Sequence, residues 1–133
     1  MRTTHQKGAK VTLLRLIKLN EADVDAACAA YVEQIRSVSQ PLAIYLFGSL
    51  AEGRGTLESD IDLLSIYPNL NLAKQAERLV WRQKSPYPIA ADLIFIDFAT
   101  WRGELKYSPL VESVKSDGKL LYQSDAYQGV ENL

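Results

Sequence analysis

Polar breaks divide this chain into short apolar segments of two kinds. Between Asn20 and Pro41 the spacing is helical. Asn20 supplies an N-cap, Glu21, Asp23 and Asp25 gather near the positive end, and a helix is predicted over 21–38. Ala22, Ala26, Ala29, Ala30, Val32 and Ile35 form its expected packed side, and Cys28 within it reads as a small apolar residue. After Pro41, residues Leu42–Phe47 are almost wholly apolar, the pattern of a strand covered on both faces. Asp60–Tyr67 reads as a second strand, ended by Pro68-Asn69. The next apolar positions predict a helix over about 71–84, with Leu72, Ala76, Leu79 and Val80 apolar and Lys74, Glu77, Arg78 and Lys84 polar. Ser85-Pro86-Tyr87-Pro88 is a turn and Ile89–Ile96 a third strand. Asp97 is expected to cap a short helix through Trp101. Ser108-Pro109 is a cap followed by proline at the first helical position, that helix stops at Asp117-Gly118, and Lys119–Tyr122 is a fourth strand. Upstream, Thr12, Arg15 and Lys18 fall three apart, which favours a short helix over 11–19 with a strand as the alternative.

Length and composition narrow what such a chain does. At 133 residues with 47% hydrophobic residues, it is most simply one globular domain. From Gln123 on, the sequence is polar and is expected to be mobile. The longest apolar runs are too short to span a bilayer. The N-terminus is polar and basic, and the Leu-rich stretch behind it is broken by Arg15 and Lys18, so no signal peptide is read and a cytoplasmic location is expected. A net charge of −1 gives no reason to expect direct nucleic-acid binding. Lys74, Arg78 and Arg82 recur every four residues and fit a solvated helix face better than a phosphate track. Trp81 and Trp101 read as core or interface residues. The single cysteine, Cys28, rules out an intrachain disulfide or a cysteine zinc site. The single histidine, His5, lies near the N-terminus and gives no rigid partner for a nucleophile. The reactive inventory that remains is carboxylates, which favour hard cations such as Mg²⁺.

Leu46-Phe47-Gly48-Ser49 runs from a strand into a Gly-Ser turn, and Asp60-Ile61-Asp62 follows ten residues later. Strand side chains alternate, so Asp60 and Asp62 share a face, where they repel unless a cation lies between them. A glycine at a strand end lets a phosphate approach the backbone, and the Ser49 hydroxyl adds a hydrogen bond. The bland alternatives are a tight turn and an exposed strand start; Ser59 reads as a turn cap. Asp92 is the one charge in the apolar run Ile89–Ile96, and a carboxylate buried there needs a partner, unless it lies on a solvated edge. Asp97 competes for that role, but capping accounts for it. Three carboxylates holding two divalent ions suit in-line displacement at phosphorus, with Asp92 placed to accept a proton. Gly48-Ser-Leu-Ala-Glu-Gly53-Arg54-Gly55 approaches the P-loop pattern but puts Arg54 and Gly55 where its lysine and hydroxyl stand.

Gly48-Ser49 with Asp60-x-Asp62, inside Leu-Phe-Gly-Ser-Leu-Ala-Glu-Gly and Ser-Asp-Ile-Asp-Leu-Leu, resembles the signature of the minimal nucleotidyltransferases of the DNA polymerase beta superfamily. Asp92 and Asp117-Gly118-Lys119-Leu120-Leu121-Tyr122 extend the likeness. The resemblance implies an α+β fold, a mixed sheet of three to four strands flanked by helices. It places a nucleotidyltransferase domain at 21–122, between an N-terminal extension (1–20) and a polar C-terminal tail (123–133). It implies an enzyme that uses Mg²⁺, with two ions, and ATP as substrate. Gly48 and Ser49 would hold the triphosphate, Asp60 and Asp62 the metals, and Asp92 would complete the triad and act as base. Many minimal members are antitoxins that transfer AMP onto a tyrosine of a partner HEPN ribonuclease toxin. Leu50 and Glu52 stand where the family often has arginines. The alternatives are an antitoxin that neutralises by binding alone and a nucleotidyltransferase for a small hydroxylated molecule such as an aminoglycoside.

Overall fold

The computed structural model describes residues 20–54, 60–104 and 108–127. The segment 11–19, Gly55 and Ser59 lie outside the described residues. Helix α1 (Glu21–Val38) begins where Asn20 Oδ1 accepts the amide of Ala22 at 2.7 Å. Strand β1 (Ala43–Phe47) leads to β2 (Ile61–Tyr67), then α2 (Leu70–Trp81), β3 (Ala91–Asp97), α3 (Phe98–Arg102), α4 (Pro109–Asp117) and β4 (Lys119–Gln123). Asn69 caps α2, Asp97 caps α3 and Ser108 caps α4, each accepting a backbone N–H of the first turn. These caps satisfy donors that the first turn leaves free.

The four strands order as β3-β2-β1-β4. β1 is antiparallel to both β2 and β4, while β2 and β3 are parallel and joined through α2, so the sheet is mixed. Alternation splits the core into two layers. Ile44, Leu46, Ile61 and Leu63 pack with α1 and Val80 of α2, whereas Ala43, Tyr45, Leu64 and Ile66 pack with Trp101, Val111 and Val114 of α3 and α4. Burial on both faces explains the unbroken apolar character of β1. The α+β architecture with a four-stranded mixed sheet agrees with the sequence expectation.

Four details differ from the pattern. First, α1 buries Val24, Ala27, Cys28, Tyr31 and Ile35. Of the expected side only Ile35 is buried, while Ala22, Ala26 and Ala29 face solvent. The larger side chains set the inward stripe, because burying them removes more apolar surface from water. Second, Leu72 is 42% exposed, and Ala73, Ala76 and Val80 are the buried positions of α2. Third, β3 starts at Ala91 instead of Ile89 and lies at the sheet edge, which leaves Asp92 exposed rather than buried. Fourth, the chain stays packed past residue 122. Tyr127 is buried, accepts a hydrogen bond from Trp101 Nε1 at 3.1 Å and lies 2.8 Å from the Tyr45 hydroxyl.

Burial pushes the Cys28 thiol up to about 11, helped by the nearby Asp25 carboxylate, so it is a neutral core side chain at pH 7. Gly118 stops α4 for lack of room rather than for a left-handed turn. Its φ is −72°, and a Cβ there would lie 2.5 Å from the Val114 carbonyl oxygen.

Candidate active site

The end of β1 and the starts of β2 and β3 lie side by side at one end of the sheet. Phe47 is the register partner of Asp62, and Asp62 is the register partner of Asp92. Neighbouring strands run about 4.8 Å apart, and register partners project to the same face. Asp62 and Asp92 therefore stand next to each other, on the face that carries Leu64, Ile66, Ile94 and Ile96 further along. Asp60 lies two residues ahead of Asp62, immediately before β2. Asp60 and Asp92 are exposed and Asp62 is half-buried.

Electrostatics singles out Asp62. The Asp62 carboxyl is raised above its ordinary value, first by burial, then by the negative charges of Asp92 and Asp60. Asp62 thus feels both neighbouring carboxylates, a repulsion that solvent or a cation has to meet. Asp97 is at the other end of β3, opposite Tyr67, with both carboxylate oxygens engaged in capping Thr100.

Gly48 closes the site from the β1 side. Its φ is +80°, a conformation that side chains avoid. A Cβ built on it would fall onto Oδ2 of Asp62 and 3.2 Å from its Cγ. The glycine therefore does two things: it turns the chain out of β1, and it leaves the space that the Asp62 carboxylate fills. The turn that follows is helical in its bonding. Ala51 and Glu52 donate to the Gly48 carbonyl at 3.1 and 3.3 Å, and Arg54 donates to the Ser49 carbonyl at 2.9 Å. Ser49 sits half-buried in this turn, one residue from the Gly48–Asp62 contact.

The two departures from the family phrase have structural explanations. Leu50 points inward and joins the α1 side of the core. Glu52 is engaged by Arg54, whose Nε and Nη2 reach its Oε1 at 3.1 and 2.8 Å. The pair is exposed, so Glu52 presents a neutralised carboxylate beside the cradle. The sequence holds a weak signal for this pairing, opposite charges two residues apart in a tight turn. Trp81, read as core or interface, is 71% exposed, while Trp101 is buried.

Among the described residues, no group of three His, Cys, Asp or Glu side chains is already closed around one point. The donor set is nevertheless all oxygen, and the charge crowding on Asp62 is of the kind that a hard divalent ion relieves.

Residues 31–127 match the family described as "Polymerase beta, Nucleotidyltransferase", a span that includes Gly48, Asp60, Asp62 and Asp92. The chain belongs to that family. As a polymerase-beta-type nucleotidyltransferase it is similar to several solved structures. One is a toxin–antitoxin structure with AMP-PNP, at 22% identity over 73% of this chain and 73% of the other, TM-score 0.46. A second is the tri-AMPylated Shewanella oneidensis HEPN toxin in complex with MNT antitoxin, at 19% identity over 76% and 73% of the two chains, TM-score 0.43. A third is a mutant of the toxin–antitoxin MntA-HpeT, at 22% identity over 81% and 76%, TM-score 0.45. No curated protein matches this nucleotidyltransferase. Among the described residues no helix is long and apolar enough to cross a membrane.

Proposed function

We propose that this nucleotidyltransferase transfers AMP from ATP, with Mg²⁺, to a tyrosine hydroxyl of a partner HEPN ribonuclease toxin, and so acts as its antitoxin. The observation that carries the transfer chemistry is the register of Asp62 with Asp92, with Asp60 two residues away and Gly48 opening the cradle beside them. The choice of a toxin tyrosine rests on the likeness of the Gly-Ser and Asp-x-Asp phrases to the minimal antitoxins.

The roles follow the order of the strands. Gly48 and Ser49, on the β1 side, receive the triphosphate, where backbone can approach its oxygens. Asp60 and Asp62 in the middle, with Asp92, would hold Mg²⁺, which when bound neutralises phosphate charge and acidifies the attacking hydroxyl. Asp92, exposed at the edge strand, is the carboxylate that an acceptor arriving from solvent can reach. Its role is to take the hydroxyl proton. The acceptor oxygen then bonds to the α-phosphorus, and the bond from that phosphorus to the bridging oxygen breaks. Pyrophosphate leaves with the electron pair. Histidine has no part in this scheme; positioning and charge neutralisation carry the barrier reduction.

The experiment is to purify the chain with its HEPN toxin, add ATP and Mg²⁺, and weigh the intact toxin. A gain of whole AMP units, absent with Asp60→Ala/Asp62→Ala, is expected. Full neutralisation of the toxin by that variant without mass gain would overturn the enzymatic reading in favour of simple binding.

A further inference from the structure

Helix α2 carries an outward stripe that nothing in the catalytic scheme uses. Its inward stripe is Ala73, Ala76 and Val80. At 3.6 residues per turn, Leu70, Lys74, Arg78 and Trp81 line up on the outward side, with Arg82 at its end, over about 16 Å. Leu70 is 52% exposed and Trp81 71%, and the three cations are exposed as well. Glu77 is the acid within this stretch. Among the described residues none of Lys74, Arg78 and Arg82 enters an ion pair; the ion pairs found are Arg54–Glu52 and Arg102–Glu104. A cavity of about 280 Å³ opens beside the Trp81 ring, bounded by Tyr31, Gln34, Val80, Ser85 and Leu93, with Asp92 at its β3 side. Its wall is held in place: the Tyr31 hydroxyl donates to the Ile89 carbonyl at 2.7 Å, and Gln34 Nε2 donates to the Lys84 carbonyl at 2.8 Å.

We infer that this stripe is the docking surface for the partner protein, and that the partner meets it with an acidic segment carrying one apolar anchor. The charges decide the sign of the partner: three unpaired cations in one row call for carboxylates. The solvent-facing indole and the adjoining cavity give the energetic centre, since tryptophan and arginine beside a pocket are the usual concentration of binding energy in protein interfaces. The cavity, near the lower end of ligand-pocket sizes, roughly 300 Å³, has room for one apolar side chain. α2 packs on the sheet face opposite to the one from which Asp62 and Asp92 project, and β3, which carries Asp92 near its start, is the edge strand between them. A partner held on α2 therefore reaches Asp92 round that edge. A nucleic acid fits less well, because Asp92 lies in the cavity wall and its negative charge opposes a phosphate backbone laid along it.

This inference rests on the proposed function for the identity of the partner, a HEPN toxin, and its test separates the two. Trp81→Ala and Arg78→Glu/Arg82→Glu are compared with wild type for affinity to the purified toxin and for steady-state AMP transfer. Each variant is expected to weaken toxin binding at least tenfold and to raise KM for the toxin in proportion, with kcat and KM for ATP unchanged. Trp81→Phe and Arg78→Lys/Arg82→Lys are expected to retain most of the affinity, which excludes a folding defect. Added salt is expected to weaken wild-type binding more than binding of the charge-reversed variant. If wild type modifies the toxin and the variants do so with unchanged KM, the docking stripe is wrong and the function stands. Binding of an oligouridine RNA that is lost in Arg78→Glu/Arg82→Glu, with toxin affinity intact, also overturns it. A wild type that neither binds nor modifies the toxin overturns both.

Discussion

Replacing Gly48 by alanine tests the contact between the cradle and the carboxylates. Two costs add. At φ +80° a side chain costs roughly 1–2 kcal/mol. The new Cβ also falls onto Asp62 Oδ2 and 3.2 Å from Cγ, and relieving such overpacking costs about 1–3 kcal/mol. Gly48→Ala is therefore expected to destabilise the protein by about 2–5 kcal/mol. A double-mutant cycle separates the parts. Asp62→Ala removes Oδ2 and Cγ and leaves a Cβ at 3.4 Å, an ordinary contact. In that background Gly48→Ala keeps only its backbone cost, so the coupling energy should be about 1–3 kcal/mol. Urea unfolding followed by far-UV circular dichroism, read as midpoint shifts at constant slope, measures all four proteins. A coupling energy under about 0.5 kcal/mol, the level of additivity between independent sites, would refute the contact and with it the claim that the glycine makes room for the carboxylate.

Other outcomes follow from the same geometry. Asp62→Asn is expected to stabilise the metal-free protein at neutral pH, because the folded state raises the Asp62 pKa by burial and by the charges of Asp92 and Asp60. The sign is set by proton uptake: from the ordinary value of 3.8 up to the raised value, the folded state holds a proton that the unfolded state has lost. Wild-type stability relative to Asp62→Asn should thus fall as pH rises through that window and stay lower above it; thermal melts across pH check this, and equal pH profiles contradict it. Glu52→Gln should leave stability within about 0.5 kcal/mol, since the exposed Arg54 pair is worth little; a larger loss in urea unfolding would contradict this. Tyr127→Phe takes an acceptor from the buried Trp101 Nε1–H and should cost about 1–3 kcal/mol, read by urea unfolding; a neutral effect would mean the tail adds nothing to the core.

Local signals in the sequence marked the elements well, and long-range ones poorly. Asn20, Asp97 and Ser108-Pro109 announce helix starts because a cap is a contact within one turn. β1 and β2 are legible because a central strand is apolar on both faces. Strand order is not a local property, so the apolar run of β3 suggested burial for Asp92, whereas an edge position exposes it. The inward face of α1 differs from the sequence expectation because four small alanines look like a packing stripe; Val24 and Tyr31, two turns apart, are the side chains with surface to bury. Tyr127 lies in a polar segment, and its burial depends on Tyr45 and Trp101, 82 and 26 residues away. The pairing of Asp62 with Asp92 needed the parallel register of β2 and β3, which the sequence pattern alone does not specify.

The central claim is that Asp60, Asp62 and Asp92 serve attack at the α-phosphorus of ATP. The direct measurement follows the two ends of the triphosphate with separately labelled ATP in the presence of toxin and Mg²⁺. The account predicts that α-label stays on the toxin while γ-label leaves as pyrophosphate, and that both signals vanish in Asp92→Asn. Transfer of γ-label to the toxin, or release of γ-label as inorganic phosphate with nothing bound, would contradict it.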